Sequence, residues 1–81
     1  MSEKLPVVSG KELIKMMSSL GYVIIRQRGS HIRLERKSPA GTHKITVPNH
    51  KEISDSTLNG ILNSISIWTQ IDKGKLKEML K

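Results

Sequence analysis

His31 is the residue whose neighbours best equip it for chemistry. It follows Gly29-Ser30, and the run after it alternates, with Ile32 and Leu34 on one side and His31, Arg33, Glu35 and Lys37 on the other. The apolar pair must face a core, so the histidine faces away from it, among cations. Imidazole exchanges protons near neutral pH, and a guanidinium or ammonium group beside it holds a phosphate through charge-assisted hydrogen bonds. RNA brings its own nucleophile to such a site. A base that removes the 2′-hydroxyl proton lets that oxygen attack the adjacent phosphorus and expel the 5′-oxygen. His31 is the candidate catalytic base, and Arg33 and Lys44 are candidate donors to the charge that builds on the phosphorane oxygens. His50, in the loop after Pro48-Asn49, serves as a second proton carrier if that connection folds back over the sheet; otherwise it positions the loop. Ser30 orients the turn rather than attacking phosphorus.

Other chemistries find less support. The histidine positions 31, 43 and 50 match neither a helical i, i+4 pair nor a short zinc motif, and with no cysteine in the chain no metal site is expected. The sequence contains no P-loop, no G-x-G-x-x-G and no G-x-S-x-G, so neither a nucleotide cofactor nor a serine-hydrolase reaction is indicated.

Fourteen basic against seven acidic residues in 81 give a formal net charge of +7, which favours polyanionic partners. The length fits one small domain over residues 1–81. Absence of cysteine suits a reducing cytoplasm. No apolar run approaches the ~18 residues of a membrane span, and the polar start Met1-Ser2-Glu3-Lys4 lacks a secretory apolar stretch. A cytoplasmic protein is expected, without a membrane partner.

The elements that must position these residues are legible in caps and periods. Ser9-Gly10-Lys11-Glu12 has the S-x-x-E form of a capping box, and Leu13, Met16, Met17 and Leu20 form one apolar helical face, ended by Gly21. Tyr22 to Arg28 reads as a first strand, Gly29 as the turn, and Ser30 to Lys37 as a second strand. The turn formers Ser38 to Thr42 precede a third strand, His43 to Val47, with Ile45 and Val47 inward, Lys44 and Thr46 outward, and Pro48 at its end. His43 falls on the inward parity but at the strand's mouth, where exposure and no functional role are expected.

Leu58, Ile61, Leu62 and Ile65 mark a second helix, capped by Ser54 or Ser56, in which Gly60 implies either close packing or a local weakness. Asp72 to Lys81, with Leu76, Met79 and Leu80 as a stripe, reads as a short extra C-terminal helix, and Trp68 before it as a packing anchor rather than a base-stacking platform.

The order predicts an α+β layer, a three-stranded antiparallel sheet with helices on one face. Its open face would carry Arg26 and Arg28, then His31, Arg33 and Lys37, then Lys44 and Thr46. A half-buried sheet always has a solvated side, but mixed charge would serve solubility as well as this nearly one-signed surface. Arg26, Arg28, Ser30, Arg33, Lys44 and His50 are therefore the candidate RNA-binding residues. Two non-catalytic readings compete: an RNA-binding module of the same fold, and an interaction domain whose basic face meets an acidic protein.

Gly29-Ser30-His31, Val47-Pro48-Asn49-His50 and Thr57-Leu58-Asn59-Gly60-Ile61-Leu62, in that order and spacing, resemble the HicA toxins over residues 8–66. The resemblance implies a double-stranded-RNA-binding-domain-like α-β-β-β-α fold and a toxin that cleaves messenger RNA. It also implies His31 as catalytic residue, no metal or small-molecule cofactor, and a HicB-type antitoxin as partner. Where the family commonly has glycine before the threonine and a basic residue within T-L-x-x-I-L, this chain has Ser56 and Asn59-Gly60.

Overall fold

The computed structural model describes residues 5–80; the polar start Met1 to Lys4 and the terminal Lys81 lie outside the described residues. The chain runs α1 (Gly10–Ser19), β1 (Val23–Arg28), β2 (His31–Ser38), β3 (Gly41–Pro48), α2 (Asp55–Thr69) and α3 (Lys73–Met79). This is the expected α-β-β-β-α order with an extra C-terminal helix.

Each boundary has a local cause. Ser9 Oγ accepts from the Glu12 amide at 3.1 Å while Glu12 Oε1 accepts from the Ser9 amide at 2.9 Å, so the predicted capping box starts α1. Of the two candidate serines, Ser54 caps α2, accepting from the Thr57 amide. Asp72 caps α3 by accepting from the Gly74 amide at 2.9 Å. The β1–β2 hairpin turns on Gly29-Ser30, with Gly29 at φ +58° in the first central position, the conformation a two-residue type II′ turn asks of glycine. The β2–β3 hairpin is tighter than expected: Ser38 pairs with Gly41, so β3 starts two residues before His43 and runs through Pro48.

The sheet is antiparallel in the order β1-β2-β3. Leu13, Met16 and Met17 of α1, Leu58, Leu62 and Ile65 of α2 and Leu76 of α3 bury themselves against Ile32, Leu34 and Val47 on the inner face. α3 completes this layer with Leu76 and Leu80, while Met79 turns away from the expected stripe and is 40% exposed. The helices cover β2 and β3 but not β1, whose six residues are all exposed.

His43 corrects the expectation of an exposed strand mouth, being 7% exposed. Tyr22, just before β1, places its hydroxyl 2.6 Å from His43 Nδ1, and Trp68 near the end of α2 stacks on the imidazole with centroids 5.1 Å apart and planes 5° from parallel. Trp68 is thus a packing anchor, closing the end of the sheet that strand parity alone leaves open. The Gly60 alternatives resolve as well: a Cβ there would meet nothing within 4 Å. Among the described residues, no helix is long and apolar enough to cross a membrane.

Candidate active site

Cross-strand partners share a face, so register converts strand order into rows across the outer surface. The first row is Arg28, His31 and Pro48; the second is Arg26, Arg33 and Thr46; the third is Val23, Glu35 and Lys44. The hairpin register puts both arginines on the outer side, and a β-bulge between Ile24 and Arg26 then makes Ile25 an extra residue in β1 and sets Ile24 opposite Leu34. Arg26, Arg28, Ser30, His31, Arg33, Lys44 and His50 are all exposed.

Rows are two residues apart, about 7 Å at ~3.3 Å per residue. His31 therefore has Arg28 directly beside it and Arg26, Arg33 and Thr46 in the adjoining row. Lys44 lies two rows away, about 13 Å along the strands, and stands opposite Glu35, which offsets its charge. The structure gathers the arginines around His31 and leaves Lys44 apart.

His50 reaches the same end of the sheet because its loop is tied down by backbone. The Asn49 amide donates to the Ser30 carbonyl at 2.6 Å, the Gly10 amide to the His50 carbonyl at 2.9 Å, and the Ile53 amide to the Val8 carbonyl at 2.9 Å. Gly10 is buried at this junction. A Cβ built on it would lie 2.5 Å from the Pro48 carbonyl oxygen and 2.9 Å from the Asn49 Cα, so only glycine lets α1 approach the loop this closely. The connection thus folds back, and His31 and His50 line one open cavity of about 530 Å3.

Thr46, Pro48, Glu52, Ser54 and Thr57 complete its wall. Sequence reading had no periodic signal for Glu52 or for the first turn of α2, because their proximity to His31 comes from the loop's path. The α2 cap Ser54 and the first-turn Thr57 contribute hydroxyls, Ser54 Oγ donating to Thr57 Oγ1 at 3.0 Å. Two imidazoles, an adjoining arginine cluster and this hydroxyl-lined wall can exchange protons with, and hold, a phosphodiester.

The third histidine is in a different state. Burial pushes the His43 pKa below its ordinary 6.5, and the Arg36 guanidinium pushes it the same way. Burial raises the Tyr22 phenol above its ordinary 10.0, against a lowering by Arg36. Arg36 itself is held by its Nε donating to the Leu20 carbonyl at 2.9 Å. This cluster sits at the opposite end of β2 and β3 from His31. Among the described residues, no three His, Cys, Asp or Glu side chains are grouped to hold a metal ion.

No curated protein and no solved structure matches the chain. A family model does: the HicA toxin of bacterial toxin–antitoxin systems matches residues 10–67, from the first residue of α1 almost to the end of α2 and across every strand of the sheet. With that span containing His31, His50 and the arginine rows, the chain belongs to the HicA toxin family.

Proposed function

We propose that this toxin is an endoribonuclease that cleaves messenger RNA, with His31 as the catalytic base. The observation that carries the reading is the shared cavity: His31 and His50 both line it, and Arg28 stands directly across the strand pair from His31. His31 takes the proton from an RNA 2′-hydroxyl. The freed oxygen attacks phosphorus, the P–O5′ bond breaks, and the departing 5′-oxygen receives a proton from His50. Arg28, Arg33 and Arg26 hold the strand and stabilise charge on the phosphorane oxygens, with Ser30 shaping the turn beneath them. Lys44 contributes at the far edge, to strand binding rather than to the reacting phosphate. The scheme uses no metal and no small-molecule cofactor, and a HicB-type antitoxin is the partner that restrains it in the cytoplasm.

The test is incubation of the chain and its His31→Ala variant with a long single-stranded RNA in EDTA, followed by analysis of the fragment ends. Cleavage to 2′,3′-cyclic phosphate and 5′-hydroxyl ends, lost in the variant, is the expected result. Ends carrying a 3′-hydroxyl and a 5′-phosphate would overturn the mechanism. Uncut RNA with an equal, salt-sensitive shift by both proteins would identify an RNA-binding module instead.

A further inference from the structure

The most conspicuous feature that the catalytic scheme leaves unused is β1. It is an edge strand, bordered by β2 on one side and, among the described residues, by no strand on the other. Natural edges are usually short, charged or covered. This one, although bulged at Ile25 and charged at its Arg26 to Arg28 end, presents three consecutive large apolar residues, Val23, Ile24 and Ile25, exposed by 56%, 52% and 43%. Ile24 pairs with Leu34 and so belongs by parity to the inner face, yet the helices that bury Leu34 do not cover it. On the outer face Val23 lines a hollow of about 290 Å3 with Gly21, Glu35 and Lys37, large enough to seat a side chain. The same strand then ends in Arg26-Gln27-Arg28, with both arginines on the outer face beside His31 and Arg33.

We infer that the free edge of β1 is a docking edge for an extended segment of an acidic protein, which adds as a fourth strand. Strand addition satisfies the unpaired backbone groups of the edge, and alternate side chains set specificity. Pairing with β1 fixes what those side chains must be: apolar beside Ile24 on the inner side and into the Val23 hollow, acidic beside Arg26 and Arg28 on the outer side. A second copy of this chain is the wrong occupant, because each copy carries a net charge of +7 and would bring its own arginines to the shared edge. An acidic strand here neutralises the arginines around His31, so docking and inhibition become one event. That regulatory consequence rests on the proposed nuclease function; the docking edge does not.

The probe is a HicB-type antitoxin, mixed with the intact protein and followed by amide hydrogen exchange. Exchange at residues 23–28 is expected to slow at least about tenfold in the complex, while the outer edge of β3 is unchanged. Ile24→Lys, off the catalytic face, is expected to weaken the complex at least about tenfold and Ile24→Val to restore it, with RNA cleavage by the free chain unaltered in both. An antitoxin that fails to bind, or binds without protecting β1, overturns the inference. So does concentration-dependent dimerisation that protects β1 without antitoxin, since the occupant is then a second copy. Should Ile24→Lys fail to fold, exchange on the unmodified chain still decides. Protection of β1 in a complex whose free chain leaves RNA intact would sink the nuclease reading and leave the docking edge standing.

Discussion

Two histidines at opposite ends of the same strand pair sit in opposite surroundings. His31 opens β2 with a solvent-facing ring, its cross-strand neighbour an arginine and its cavity shared with His50. His43, near the start of β3, lies on the inner face, bonded to Tyr22 and stacked on Trp68. Both belong to strands, and both have a cation nearby. The difference is the face. On the outer face an imidazole can meet a substrate and exchange protons with it; on the inner face it fills space and satisfies a buried hydroxyl. Proximity of a basic residue does not distinguish the two rings, whereas strand parity and the path of the covering elements decide which of them solvent can reach.

The largest expected effects come from removing each ring in turn. His31→Ala is expected to lower RNA cleavage by roughly 10²–10⁴-fold, the usual worth of a general base, with stability within about 0.5 kcal/mol of wild type as for other exposed positions. His43→Ala reverses the pattern. It leaves the buried Tyr22 hydroxyl without its partner at a cost of about 1–3 kcal/mol, and the folded fraction keeps its cleavage rate. Thermal melts and single-turnover cleavage on both variants measure the four quantities. A stable His43→Ala chain that no longer cleaves RNA would break the comparison.

The two ends also differ in how far they are legible in the sequence. Alternation along His31 to Lys37 places the outer face residue by residue, since parity needs no knowledge of anything distant. Capping chemistry is equally local, and Ser9 and Asp72 act as their types and spacing predict. His43 is different because what covers it comes from Tyr22, 21 positions earlier, and from Trp68, 25 positions later on α2. No local pattern carries that. Lys44 shows the same limit: its parity is right, but its distance from His31 and its pairing with Glu35 depend on hairpin register. His50 needed the backbone ties at Ser30 and Gly10, which have no side-chain signature beyond the glycine itself. Val23 to Ile25 reads correctly as strand, yet whether a helix covers a strand is a matter of layer packing.

A smaller effect is expected at the junction that brings His50 to the His31 end. Gly10→Ala forces a methyl group against the Pro48 carbonyl and the Asn49 backbone, and overpacking of this kind typically costs about 1–3 kcal/mol. Because the strained contact is the one that holds the loop, the folded variant should also cleave more slowly. A lower kcat with nearly unchanged KM would place the damage in proton transfer. Destabilisation without any kinetic change would show that the loop's position is immaterial to the chemistry and detach His50 from the site.

The His43 end should betray itself through pH. Its folded pKa lies below the unfolded 6.5, pushed down by burial and then by Arg36. Below 6.5 the unfolded chain therefore binds a proton that the folded chain resists. The sign follows: the contribution is fully present above 6.5 and is lost as pH falls through the interval down to the folded pKa. Tyr22, raised mainly by burial, acts in mirror image, its contribution being lost as pH rises past 10.0. Besides Tyr22 and Trp68, the charged group facing the ring is Arg36, held by the Leu20 carbonyl. Denaturant melts of wild type and His43→Gln across this range isolate the contribution as a difference in slope just below pH 6.5. Equal slopes would mean that the ring titrates alike in both states and is not part of the core.

The smallest effect tests whether the two ends are independent. α2 joins them: Ser54 and Thr57 at its start line the His31 cavity, and Trp68 near its end stacks on His43. Gly60 lies between, exposed, with nothing within 4 Å of where a Cβ would go. Glycine inside a helix costs about 1 kcal/mol relative to alanine, so Gly60→Ala should stabilise the protein by that amount. For a domain of this size the gain is a rise of about 4–8 °C in Tm. Since the methyl group touches neither end, cleavage at saturating RNA and the acid slope of stability should both match wild type. If stiffening the middle of α2 changes cleavage, then the helix transmits strain between its ends, and the buried histidine cluster at one end bears on the proposed catalytic base, His31, at the other.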